Sequence, residues 1–564
     1  MKRLALVLTV LACGAGAPAQ TAAAAAAPEP TDLVRIPFSQ DDGSLTPYSF
    51  ELGYPFVTLI YDTLLWRDSR GVPEPWLARG LKRSADGRQV TIRLRDGVRW
   101  HDGRALTASD VAFTFEFMKR NLHLRFTPQL TEIEQVRAVD PLTVVFALRR
   151  PVLGFLDQPL SDVPILPRHL WEGRSGERLI PPGPPIGSGP YRLAGYDRRR
   201  GYVFTANRPY FRGRPQVDRI DVPIIRSAEG TFKALERGNV EMVPAGLPTA
   251  FRKDLGNRLG IDYRKGVNYT GTALLLNLRR PPFDNPAVRR AVALALDLDR
   301  IADGVGEVLP ASTGYLHPES PWAPTPGRLL HRSDEAAARR ELSRLGNPPF
   351  EVLTPENNPV RLDVGRQVVL ALRRAGARAT LVEVPRATLA RALGGGDGSR
   401  PRFQAAITSI PALISYDPDF LRTFFGADAR LNQTGYRSGA FDRVADRVAG
   451  ASDRAVRRRA VAEEMRRLAR DVPAIPLVFS EGAFAYRPSA YDGWVFVKGT
   501  GILDKRSFLG GRRGLARTLP EIDPPAGEDD GLPISGFGLA AAALLFAAIA
   551  LSAARLSGSR ARSR

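Results

Sequence analysis

The chain has 564 residues, 44% of them hydrophobic and 25% charged, an ordinary globular balance with length enough for more than one domain. Its formal charge of +21 comes from 80 lysines and arginines against 59 acids; no basic run alternates with aromatic residues as a single-strand binder requires, so the excess reads as solvated surface and nucleic acid is not an expected partner. A single cysteine, Cys13, excludes an intramolecular disulfide and a thiolate metal cluster.

In chain order, Lys2 and Arg3 precede an apolar run over residues 4–12 and then small residues, the pattern of an export signal over 1–27. Val10-Leu11-Ala12-Cys13 resembles a lipobox that would acylate Cys13, while Ala17-Pro18-Ala19 and the alanines up to Ala27 offer ordinary cleavage; both readings stand. Residues 22–31 are an Ala/Pro-rich spacer, and 33–38 read as a strand. Residues 89–119 carry the densest pattern. Val90, Ile92 and Leu94 alternate with polar residues as one face of a strand. Asp96-Gly97 and Asp102-Gly103 are turn pairs, with a short strand over 98–100 between them. Thr107, with Asp110 three residues on, is an N-cap whose acidic partner suits the positive helix end. Residues 136–148 read as strand, turn at Asp140-Pro141, and strand. Gly187-Ser188-Gly189-Pro190-Tyr191 is not a phosphate loop, because it lacks the Lys-[ST] ending and leads into strand-like residues.

Further on, strands are expected over 220–225 and 273–277, and a helix over 286–301 capped by Asn285, with an apolar stripe through Val288, Ala291, Val292, Leu294, Ala295 and Leu296. Residues 334–345, 350–354, 361–375 and 380–384 follow in a helix–strand–helix–strand rhythm suited to an α/β unit. A helix over 453–471 and a strand over 473–479 come next. Residues 534–554 form an uncharged apolar stretch of about 20 residues, enough to cross a bilayer. Arg555, Arg560, Arg562 and Arg564 lie after it and Glu528, Asp529 and Asp530 before it, which orients the tail to the cytoplasm and the body outside.

Catalytic chemistry is missing. The five histidines, His101, His123, His169, His317 and His331, form no metal-binding pair and read as turn or surface residues. There is no G-x-S-x-G elbow, and Glu463-Glu464 reads as a solvated helix face. The expectation is a non-enzyme with no cofactor and no metal.

One set of blocks is specific in combination: Leu94-Arg95, Gly97-Val98, His101-Asp102-Gly103, Leu106-Thr107-Ala108, Asp110-Val111 and Phe113-Thr114-Phe115, then Gly187–Tyr191, Pro282-Phe283-Asp284 and Tyr416-Asp417-Pro418. Together they resemble the family 5 solute-binding proteins, extracytoplasmic receptors of ABC importers for peptides, nickel and related solutes. The resemblance runs from about Leu33 to Phe508. It implies a mixed α/β, two-lobed fold of the periplasmic-binding-protein type, with an extra subdomain in lobe I. Lobe I would take residues 28–66, the extra subdomain 67–180, lobe I again 181–274, lobe II 275–483 and a return segment 484–510. Beyond these lie a linker at 511–533, one C-terminal transmembrane helix at 534–554 and a basic cytoplasmic tail at 555–564. Hinges would fall at 275–277 and 484–489. The implied partners are a small peptide-like solute and an ABC permease with its ATP-binding complex; the apolar stretch at 534–554 adds the membrane, through the C-terminal helix. The implied place is the periplasm or the outer face of the cytoplasmic membrane. A cleft receptor needs aromatic walls and a few polar groups, and the candidates are Tyr48, Phe50 and Tyr54, with Tyr416 and Asp417 opposite. Peptide receptors of this family hold the peptide amine with an Asp three residues before the [DE]-P pair; that position is Ile414 here, and the Trp often found three residues earlier is Pro411. Ile414 cannot make the charge-assisted bond to an ammonium. A membrane-anchored sensor or envelope scaffold on the same fold is the alternative reading, motivated by residues 534–554.

Overall fold

The computed structural model describes residues 31–50, 52–244, 260–325, 333–356, 358–394, 400–429 and 431–509. The expected export signal, the linker, the apolar stretch at 534–554 and the basic tail lie outside them. Among the described residues no helix is long and apolar enough to cross a membrane.

Two sheets build the first half. In one, the strands Thr31–Arg35, Val217–Pro223, Gly201–Ala206 and Tyr191–Asp197 lie side by side in that order, the first pair parallel and the rest antiparallel. The other is an antiparallel sheet ordered Ala78–Arg83, Gln89–Leu94, Thr143–Leu148 and Ile133–Asp140. In the strand Gln89–Leu94, Val90, Ile92 and Leu94 are buried and Gln89 and Arg93 exposed, as the alternation requires. The helix Ala108–Arg120 packs on this sheet, its start fixed by Asp110, which accepts from the Thr107 backbone N–H at 2.9 Å and its hydroxyl at 3.2 Å. The expected strand over 98–100 reduces to a single bridge between Arg99 and Ala105, because the two turns leave no longer ladder.

The second half is built on a six-stranded mixed sheet ordered Val308–Pro310, Ala474–Ser480, Gly271–Leu276, Ala405–Ile410, Pro349–Pro355 and Arg378–Val384. The central strand Gly271–Leu276 sends Leu274 and Leu276 into one apolar cluster and Ala273 and Leu275 into another, so both faces of the sheet are covered. The helix expected over 286–301 is two helices, Pro286–Ala295 and Leu298–Val305. Asp297 breaks it: its side chain caps the second helix, accepting from Arg300 N–H at 3.1 Å, and a cap residue needs non-helical backbone. A three-stranded sheet of Met242–Val243, Phe484–Tyr486 and Asp262–Arg264 joins chain segments far apart in sequence. Residues 502 and 508 return to the first core.

A buried charge hub ties that return segment down. Asp62 and Lys505, both with fully buried side chains, pair at 2.7 Å. Asp62 also accepts from Trp76 Nε1 at 2.8 Å, Tyr210 at 2.9 Å and Ser188 at 3.0 Å. The Lys505 ammonium stands 4.3 Å from the Trp66 ring and 4.8 Å from that of Trp76. Gly187 permits this closeness, since a Cβ there would collide with the backbone of Ile60.

Candidate functional site

Two adjoining cavities lie where the halves meet. The smaller, about 300 Å³, has Ser39 and Leu52 on one side. Facing them are Thr408, Pro411 and Ile414 at the end of the strand Ala405–Ile410, and residues at the starts of two helices, Pro359–Arg374 and Arg386–Ala392. The Arg386 guanidinium spans the two sides and donates to the Gln40 side-chain carbonyl.

Arg361 is the unusual residue here. It lines the smaller cavity, and among the described residues its guanidinium has no hydrogen-bond or ion-pair partner. It also sits in the first turn of the helix Pro359–Arg374, whose cap Asn358 accepts from Arg361 N–H at 3.0 Å. A cation at the positive end of a helix is disfavoured. Burial, and then the neighbouring Arg386 charge, push the Arg361 pKa down to about 10. Among the described residues two arginines and no carboxylate line this cavity, so its chemistry is that of an anion receptor.

The larger cavity, about 590 Å³, opens between the 122–158 segment and the 417–442 segment, and Leu431 lines both cavities. Among the described residues its charged lining is opposite in sign: Glu132, Asp417, Asp419, Asp428 and Asp442 against Arg422. Behind it, Asp417 pairs with the buried Arg457, and burial raises the pKa of Asp419. Glu464 is fully buried with neither carboxyl oxygen hydrogen-bonded. Burial and then the Asp419 charge raise its pKa well above the ordinary value. This corrects the reading of Glu463-Glu464 as a solvated pair: Glu463 is solvated and meets Arg447, while Glu464 falls on the buried stripe with Ala460, Val461, Met465 and Leu468.

The sequence candidates divide. Ile414, buried, lines the smaller cavity beside Pro411. Asp417 lines the larger one. Tyr416 lines neither: its hydroxyl donates to the Lys498 carbonyl at 2.7 Å, and Arg67 lies 3.9 Å from its ring centroid. Tyr48, Phe50 and Tyr54 line neither cavity. Tyr48 donates to the Asn121 carbonyl at 2.8 Å and packs on Phe117, His123 and Trp171. Phe50 packs on Tyr54, His123 and Phe126, and Arg125 lies 3.9 Å over the Tyr54 ring. These rings clamp the 48–54 segment to the adjoining helices, and Leu52 between them is the residue that reaches the smaller cavity. Two histidines are buried rather than on the surface. His101 ties its turn to the glycine segment, with Nε2 at 3.0 Å from the Gly189 carbonyl and Nδ1 accepting from Gly187 N–H at 3.3 Å. His317 is enclosed as well, and burial pushes both pKa values down to about 4. Among the described residues no group of three or more His, Cys, Asp or Glu side chains could hold a metal ion.

Two lobes with a lined cavity between them suit a binding protein, and comparison with known proteins decides the family. The family model described as bacterial extracellular solute-binding proteins, family 5 Middle, matches residues 72–432, well over half of the chain. The chain belongs to family 5. It is therefore a solute-binding protein and not an enzyme. Protein XP55 of Streptomyces lividans is 28% identical over 439 residues, 73% of this chain and 77% of XP55. The oligopeptide-binding protein AppA of Bacillus subtilis is 27% identical over 274 residues, 47% of this chain and 49% of AppA. The structure of AppA in complex with a nonapeptide superposes with a TM-score of 0.77 at 20% identity, over 86% of this chain and all of that one. A mannohexaose-bound periplasmic oligopeptide-binding protein of Thermotoga maritima gives 0.71 at 22% identity, over 83% of this chain and 94% of that one. Family 5 neighbours thus share the two-lobed mixed α/β fold.

Proposed function

We propose that this chain is the extracytoplasmic receptor of an ABC importer, closing its lobes over a small solute and presenting it to a permease. In this reading lobe I takes residues 28–66, 181–274 and 484–510, with its extra subdomain at 67–180. Lobe II takes 275–483, and the rotation is absorbed at 275–277 and 484–489. Residues 534–554 hold the receptor to the outer face of the membrane. AppA holds a nonapeptide and the Thermotoga protein mannohexaose, so likeness of fold does not fix the solute and the cavity must.

The observation that carries the solute class is Arg361, unpartnered among the described residues, beside Arg386 in a cavity whose described lining holds no carboxylate. The solute is a small molecule with an anionic group, a carboxylate or phosphate, that takes charge-assisted bonds from Arg361. It is not a peptide held by its free amine in this cavity, since Ile414 and Pro411 supply apolar wall at the positions that anchor amines elsewhere in the family. A thermal-shift panel of acids, amines, sugars and peptides tests this, because a ligand that prefers the native state raises its stability. Acids are expected to give the largest shifts. Ile414→Asp is expected to weaken the best acid by about tenfold or more, by facing it with a like charge in a closed cleft. Ligands that bind equally well with their acid groups free or amidated would contradict the reading.

A further inference from the structure

We propose that the larger cavity is a second ligand subsite that receives a hydrogen-bond-donating cation, an ammonium or guanidinium group, at the far end of the solute whose anionic group Arg361 holds. The inference rests on the anion reading of the smaller cavity and extends it: the solute is dipolar and long enough to pass Leu431, which lines both cavities.

Five carboxylates against one arginine among the described residues do not make a site, since acids on a wet wall are ordinarily solvated. The decisive feature is the hydrogen-bond accounting at two of the best-buried polar side chains in the lining, Gln158 at 5% exposure and Asp417 at 6%. Gln158 donates Nε2–H to the Leu413 carbonyl at 2.8 Å, and its Oε1 accepts from no donor among the described residues. Asp417 spends Oδ1 on Arg457 and on Asp419 N–H, and its Oδ2 accepts from none. Neither of these free oxygens is sealed, whereas the unpartnered Oδ1 of Asp419 close by is enclosed. Acceptors are thus left over on this wall, and their complement is a donor. Water can supply donors to such atoms. It does not account for two adjoining cavities of opposite charge.

The two walls come from different lobes. The 122–158 segment carries Gln158, and Gly154 lies so close to the Asp417 carboxylate that a Cβ there would run into it. The subsite is therefore complete only when the lobes are together, and a cation held there adds to closure.

The test is calorimetry on the full chain with a ladder of unbranched ω-amino acids and the plain alkanoates of the same length. At the length that spans both cavities, the amino acid is expected to bind about tenfold to a hundredfold tighter than its alkanoate, the worth of a charge-assisted bond. Leu124→Lys places a competing ammonium on the cavity wall at an exposed position, and the amino-to-alkanoate ratio is expected to collapse to about one. Equal or undetectable binding of the two series at every length, or a ratio that survives Leu124→Lys, overturns the subsite. Failure of the underlying reading shows separately: Arg361→Ala that leaves the alkanoates unweakened removes the anion site, and the dipolar solute with it.

Discussion

Replacing Asp62 with alanine is expected to destabilise the protein by about 3–5 kcal/mol, the usual cost of removing one partner from a buried ion pair. The reason is the charge left behind. Lys505 is fully buried, and burial already lowers its pKa. Without Asp62 its ammonium must lose its proton or stay uncompensated between Trp66 and Trp76. Three further donors, on Trp76, Tyr210 and Ser188, lose their acceptor in the same step. Asp62→Leu combined with Lys505→Met is expected to recover much of the loss, because the orphaned charge goes with its partner. The denaturation midpoints of the single and double variants check this; a double variant as unstable as the sum of the singles would show that the pair is not the source of the effect. The hub also joins the 62–76 stretch to the returning segment at 505, so hydrogen exchange is expected to rise at both places in Asp62→Ala.

Arg361→Ala is expected to separate stability from binding. Arg361 has no partner among the described side chains, it faces a like charge in Arg386, and it stands at the positive end of a helix. Removing it should leave the midpoint of the empty protein unchanged or slightly raised. Affinity for the anionic solute should fall by about tenfold to a hundredfold, since a charge-assisted bond in an enclosed site is lost. A loss of stability with affinity intact would mean that Arg361 is held by a contact outside the described residues and is structural.

Fold and family were legible in the sequence because their signals are local. Thr107 and Asp110, Asn285, and Asp453 ahead of its long helix are each a cap a few residues from what it caps. The break at Asp297 was legible on the same grounds, since Asp followed by Leu-Asp-Arg is a cap within an apolar stripe, but the stripe on either side concealed it. The buried Glu464 had a signal too. With Arg457 it completes the helical spacing of Ala460, Val461, Met465 and Leu468, so a polar residue stood at a core position. The binding residues are harder for a physical reason. Tyr48, Phe50 and Tyr54 have the composition of a ligand wall and of a packing clamp alike, and only their neighbours, from His123 to Trp171, decide between the two. Arg361 matters because of what is absent around it, and an absent partner cannot be read along a chain in which arginine is common. Its one local sign was a cation in a first helical turn opened by Asn358-Pro359. Ile414 and Pro411 came from the family comparison alone, as departures from its amine anchor.

Closure of the two lobes over a solute in the Arg361 cavity is tested most directly by small-angle neutron scattering of the full chain with the detergent contrast-matched. Profiles are taken with and without the acid that gives the largest thermal shift, and calorimetry shows it to be bound. The radius of gyration is expected to fall on binding in the wild type, and not in Arg361→Ala at the same solute concentration. An unchanged profile with the solute fully bound would contradict the closing-cleft account.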